Sequence, residues 1–520
     1  MALLFVAAVF AGAGAATNFP TEPGSISGGT YTGVTLTQGG EYTLQGDVTL
    51  ETNGLTINGG TSTQPIIIDL NGHTLTGTGS DSVIKISKSK YFTLTDSDTA
   101  TAHYFTFVDN AAWTPYTGTE TSSAVLLADF DRSTAVSGGT VVKIDGGIIT
   151  GGSATNGGGV NIDQGTFTMS GGSITGCSAV TSGGGVYNLS GTFEMNGDAK
   201  ITGCSAAWGG GVNNDKGIFN LSGGSITGCS ANLGGGGVDL CADTFNLSGA
   251  ARITGNTKGD TANNVYLEGD YKITLSSSSP LSPGASIGIT MQTPPGVFTD
   301  GGQGDYTIAA YFTSDDENYI VEISGTELTL TTPVAKIVST DKKYATVQAA
   351  VTAAATSDPY DTIEMLIDTT ENITISGKTV TLDLAGHTLT GDGNGSVITV
   401  NSGADFTLTD SKKDEERYYN TALGKAWTAA TEVDWTASPK QLTPETITSP
   451  DDLAAEGAVI KMTGGIITGG SATYGGGVYN CGNFTMESGS ITGCSVTGIY
   501  GGGGGVYNAG TFEMKGGSIT

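Results

Sequence analysis

Few residues in this chain could carry chemistry. It has three histidines, His73, His103 and His387, and six cysteines, Cys177, Cys204, Cys229, Cys241, Cys481 and Cys494. No His-x-x-x-His pair, no His/Cys cluster and no Gly-x-Ser-x-Gly turn occurs, so zinc and serine-hydrolase chemistry find no support in the residue pattern. Cleaving an acidic polysaccharide takes two carboxylates at a set separation, or a carboxylate-bound calcium with a basic proton acceptor. Asp145, Asp163, Asp198, Asp215 and Asp239 are scattered, and read as turn or solvent-face residues; Arg252 has no acid ladder beside it. No catalytic residue, metal ligand or cofactor is therefore assigned.

The cysteines are ordered. Cys177, Cys204, Cys229 and Cys494 each follow an Ile-Thr-Gly, and Asn256 takes that slot at the end of the first series. If the slots stack, neighbouring thiols lie about 4.8 Å apart. That allows a Cys177–Cys204 or Cys204–Cys229 disulfide, or a column of small buried side chains. Aromatic residues collect in two stretches. Tyr104, Phe105, Trp113 and Tyr116 mark the first, and Tyr418, Tyr419, Trp427 and Trp435 the second. Long interruptions of a regular fold often carry function, and Tyr and Trp bind sugar faces and proteins well. Tyr104, Trp113, Tyr116, Tyr418, Trp427 and Trp435 are therefore the candidate ligand-binding residues. The other reading is that the stretches fold back and cover a flank.

What positions these residues is a repeat. Val160, Val186, Val212 and Val238 recur every 26 residues, and Phe167, Phe193, Phe219 and Phe245 keep the same step. Met169, Met195, Leu221 and Leu247 follow each Phe by two, and Ile174, Ile201, Ile226 and Ile253 come at steps of 27, 25 and 27. Each repeat holds three short pieces that alternate apolar with polar residues, separated by glycine corners. Three short strands per coil, stacked coil on coil, predict an all-β fold: a right-handed parallel β-helix, or solenoid. A larger repeat lies above this one. DLNGHTLTG at Asp69–Gly77 returns as DLAGHTLTG at Asp383–Gly391, and Trp113 returns as Trp427, both offset by 314. The chain is read as two tandem units.

The expected boundaries are a signal peptide at 1–16, a first β-helix unit at 17–268 with an excursion at 97–140, and a β-rich terminating cap at 269–333. A linker and short capping helix follow at 334–362, the helix ended by Pro359. A second unit covers 363–520, with an excursion at 412–458. Its last coil ends open at Thr520, which reads as a fragment. The net charge of −29 argues against nucleic acid, whose phosphates it would repel. The apolar start is too short to cross a bilayer comfortably, and nothing else is apolar enough. A monomer is expected.

The GGGV-x-N…F-x-M…ITG strings resemble the β-helix repeats of bacterial adhesin-like surface proteins, including polymorphic outer-membrane proteins. The Asp69–Gly77 motif resembles an early coil of pectate-lyase-like folds. The resemblance covers about 46–268 and 363–520. It departs in the Phe strand, which carries Phe-x-Met and has Asn in the Phe-x-x-Asn place only at Phe193–Asn196. It implies secretion or cell-surface display, with a carbohydrate or a host or matrix surface protein as partner and a non-catalytic scaffold role. The alternative it implies is a polysaccharide lyase or glycoside hydrolase.

Overall fold

A computed structural model describes residues 19–520 apart from 120, 131, 133, 242–243, 277, 302–306, 421–426, 430–440 and 443–458. The segment expected to be a signal peptide and Trp435 lie outside the described residues. The chain divides into two compact units between Thr331 and Thr332. Each is a right-handed parallel β-helix, and the second carries a short helix at its N-terminal end. Among the described residues no helix is long and apolar enough to cross a membrane.

In the first unit like residues stack on like. Val160 pairs with Val186, Val186 with Val212, and Val212 with Val238, all parallel and in register. The Phe column does the same. Its rings lie 5.1, 4.9 and 4.8 Å apart from Phe167 to Phe245, within 8° of parallel. The Ile column runs from Ile149 to Ile253. All of these side chains are buried. The cause is local: alternation points one apolar residue per strand inward, and in-register stacking gives it an identical neighbour. The uneven Ile steps fall in the corners and leave the register intact.

The regular coils of the first unit have a fourth strand that hydrophobic patterning does not announce. Ser153–Asn156, Ser178–Ser182, Ser205–Trp208 and Ser230–Gly234 pair in parallel after the glycine corner. Their buried apolar side chains are only Ala154, Ala179, Ala206 and Ala231, so they carry almost no alternation signal. The coil stack also continues into the expected cap. Ile273–Leu275, Ser286–Met291 and Phe312–Ser314 extend the parallel faces, and only then does the antiparallel hairpin of Ile320–Ser324 and Glu327–Thr331 follow.

The cysteine column is a stack, not a framework of bridges. Cys177, Cys204 and Cys229 are free thiols and fully buried. The Cys204 thiol donates to the carbonyl of Thr202 at 3.4 Å. Asn256 closes the column. Its Oδ1 accepts from the Cys229 amide at 3.0 Å, and its Nδ2 donates to the Ile226 carbonyl at 2.9 Å.

The duplicated motif is a corner pin. Asp96 accepts from the amides of Gly72 and Gly147 at 2.8 and 2.7 Å. Asp410 does the same for Gly386 and Gly465 in the second unit. Charge-assisted bonds to two amides of different coils hold the turn where a side chain would not fit. His73 and His387 have matching neighbours: Asp47 at 3.6 Å and Asp368 at 3.3 Å. Each of these aspartates also accepts the next amide, from Thr74 or Thr388.

In the second unit the Phe column is Phe406, Phe484 and Phe512, and the Val column runs from Ile373 through Ile398 and Val478 to Val506. The helix spans Val347–Ala353 and stops well before Pro359. Thr346 caps it through the Ala349 amide at 3.0 Å, and Glu371 accepts from Val347 and Gln348 at 2.8 and 3.0 Å. Val347, Ala350 and Val351 pack into the core of this unit, with Ile373 and Ile375.

Candidate ligand groove

The excursion at 97–140 is a small sheet of its own. Ala102–Thr106 pairs antiparallel with Val141–Asp145 and with Thr114–Pro115, and Val125–Leu126 adds a parallel edge. The second excursion repeats the plan with Glu416–Asn420, Thr428–Ala429, Gln441–Leu442 and Val459–Thr463. Each sheet buries its own apolar face. Phe105, Phe107, Trp113, Val142, Ile144 and Ile148 make one cluster, and Tyr419, Trp427, Ile460, Met462 and Ile466 the other.

Trp113 and Trp427 are therefore core residues, 1% and 3% exposed, and cannot offer a ring face to a ligand. The covering reading holds for both. The reason is the glycine of each Ile-Thr-Gly corner. Gly176, Gly203 and Gly228 have φ between +57° and +66°, and none has a Cβ to hold Trp113 away. A Cβ on Gly203 would lie 2.3 Å from the indole. Gly493 makes the same room for Trp427. The tyrosines differ. Tyr104 and Tyr116 are part-buried and adjacent, the Tyr116 amide donating to the Tyr104 carbonyl at 2.9 Å. Tyr418 is part-buried in the second sheet.

Folding back creates a trough. Leu127, Ala128 and Phe130 of the excursion form one wall over Lys200, Ser225, Thr227, Arg252 and Thr254, enclosing about 410 Å³. Lys200, Ser225 and Arg252 also line an adjoining hollow of about 580 Å³, which reaches Asp96, Asp198 and the glycine corner at Gly223 and Gly224. One strand position supplies the floor. Ser173, Lys200, Ser225, Arg252 and Ser286 follow each other on successive coils. Lys200 and Arg252 are thus two coils apart, roughly 9–10 Å along the stack.

These two cations share one strand column. The chain has 50 acidic and 21 basic residues, yet among the described residues neither Lys200 nor Arg252 makes an ion pair. Their contacts are long bonds to carbonyls: Lys200 Nζ to Asp145 at 3.4 Å and Arg252 to Gly284 at 3.5 Å. Asp96 is engaged by its two amides. In the second unit the equivalent column is Thr388, Ile466, Ser490 and Ser518, with no cation. Ser173 is buried, so a polyanion lying along the first stack would meet Lys200, the Ser225 hydroxyl and Arg252 in turn. Arg offers two parallel donors to a carboxylate or sulfate, and Lys a point charge.

Sequence reasoning noticed Arg252 but not its partnership with Lys200. The signal was present: both precede the Ile of their repeat. The sequence pattern also misplaces Asp239, reading it as a turn or solvent-face residue. It is 1% exposed in the middle of a strand. No protein-family model, curated protein or solved structure matches the chain.

Proposed function

We propose that the first unit is a glycan-binding scaffold of a secreted or surface-displayed, adhesin-like protein, and that its ligand is an acidic polysaccharide lying in the Lys200–Arg252 trough. The observation that carries this reading is the unpaired cation stripe, walled by the excursion, in a chain of net charge −29. The repeat resemblance supports display outside the cell. The rigid floor supports binding without induced folding, because each floor residue sits on a hydrogen-bonded strand.

The same stripe favours a second reading. Lys200 and Arg252 are the residue types that take a proton in a polysaccharide lyase, and Asp198 lines the same hollow. One experiment separates the two. Purified protein is titrated with polygalacturonate and with neutral dextran, while the ultraviolet absorbance of unsaturated product is followed. Salt-sensitive binding of polygalacturonate without product supports the scaffold. Product formation replaces it with the lyase. Equal binding of dextran and polygalacturonate would sink both.

A further inference from the structure

The alternation of the Val face breaks in two adjacent coils, at Asn213 and at Asp239. Val238 and Leu240 point into the core, so Asp239 between them points away from it. It is nevertheless buried. Asn213 and Tyr266 flank it on the coils to either side, and a Cβ on Gly235 would come within 2.5 Å of the Asp239 Cβ. Cys241 lies two residues on, and Glu268 comes from the next coil, one residue past the Leu267 that pairs with Leu240. One ligand atom from each of Asp239, Cys241 and Glu268 lies within 4.8 Å of the other two.

This group is poorly satisfied by the protein itself. Asp239 Oδ2 accepts from Asn213 Nδ2 at 2.5 Å and from the Cys241 thiol at 3.3 Å. Its Oδ1 is buried and has no hydrogen-bond partner among the described residues. No Lys or Arg pairs with any of the three among those residues. A buried carboxylate with one orphaned oxygen, facing a half-buried thiol and a half-buried carboxylate, thus has no cationic partner among the described residues.

We infer that Asp239, Cys241 and Glu268 form a binding site for a zinc-class divalent transition-metal ion. The donor set decides the class. A thiolate with two carboxylates suits zinc or cobalt, whereas calcium and magnesium take oxygen ligands. Zinc–oxygen and zinc–sulfur bonds of about 2.0 and 2.3 Å put tetrahedral ligands roughly 3.3–3.5 Å apart. Side-chain rotation of the half-buried Cys241 and Glu268 closes the remaining distance. On loading, the thiol releases its proton to solvent, and the metal takes the place of that proton. Three protein ligands leave a fourth position for water. The site is independent of the trough.

The test uses the full chain, stripped with a chelator and titrated with cobalt(II) chloride. One equivalent is expected to give a thiolate-to-cobalt charge-transfer band in the near ultraviolet, which zinc chloride then abolishes. Cys241→Ser should lose the band, Cys481→Ser should keep it, and Asp239→Asn and Glu268→Gln should each weaken uptake at least tenfold. Circular dichroism of each variant checks that its strands are kept. The inference is overturned if the folded wild type takes up no stoichiometric cobalt, or if the band survives in Cys241→Ser.

Discussion

Trp113 donates its main-chain N–H to the carbonyl of Gly203 at 2.8 Å, and its indole lies over the space where a Gly203 Cβ would be. One glycine thus serves two purposes. Its positive φ turns the coil corner, and its bare Cα seats the excursion on the flank. Gly203→Ala should destabilise the first unit by about 1–3 kcal/mol through overpacking. Trp113→Ala should cost about 3–5 kcal/mol by leaving a cavity. Denaturant melts followed by circular dichroism measure both. A Trp113→Ala protein as stable as wild type would contradict the core placement.

The trough predicts paired effects. Lys200→Ala and Arg252→Ala should each weaken polygalacturonate binding about tenfold, equivalent to about 1.4 kcal/mol. Both losses should shrink as salt screens the charges. Ser490→Ala, in the equivalent column of the second unit, should leave binding unchanged. Calorimetric titration at low and moderate salt reads all three.

The pair Asp368–His387 predicts a pH dependence in the second unit. Burial pushes Asp368 up, but hydrogen bonds from His387 and the Thr388 amide, with the charge of Arg417, outweigh it and hold the carboxyl below its ordinary value. The folded protein therefore favours the ionised form. That contribution is fully present above the unfolded value of about 4 and is lost as pH falls through the lower folded value. Asp368→Asn should be less stable than wild type from pH 5 to 8, with the difference vanishing in acid. Asp368 is half exposed, so the loss should stay below about 1 kcal/mol. Melts across that range check the sign.

The cysteines predict a labelling pattern. The hydrogen bond with Cys204, together with burial, raises the Cys177 thiol well above its ordinary range; burial, with the Cys229 contact, raises that of Cys204, and Cys229 is equally enclosed. A water-soluble thiol reagent should leave these three unmodified in the native protein and reach all six after unfolding. Cys481, part-exposed, should react natively. Mass spectrometry of labelled peptides distinguishes the sites. Native labelling of Cys204 would mean that the column is open.

Much of the fold was legible because it rests on periodicity. Val160, Val186 and Val212 announced their stacking by spacing alone, and the two copies of the Asp69–Gly77 motif announced two units. The fourth strand was not legible, because Ala154 and its equivalents bury too little apolar surface to leave a pattern. The helix was placed correctly in sequence but overran its end, since Ala354 and Ala355 are good helix formers that tertiary packing turns out of the helix. The candidate site was less legible than the fold. Trp113 and Trp427 were conspicuous and proved to be structural, while Lys200, Arg252 and Asp239 drew no attention together.

By itself the sequence determined which residues share a column, because in-register parallel stacking turns a linear step of about 26 residues into a spatial neighbour. It therefore determined the solenoid, the duplication and the buried thiol slot. Only the tertiary structure decided where the excursions dock and which outward-facing side chains are covered. Those outcomes depend on contacts between segments with no common period: an indole against a glycine corner, two cations left unpaired beneath a folded-back wall, and a carboxylate enclosed by its neighbours. Burial at such places is set by three-dimensional packing, which local alternation does not encode.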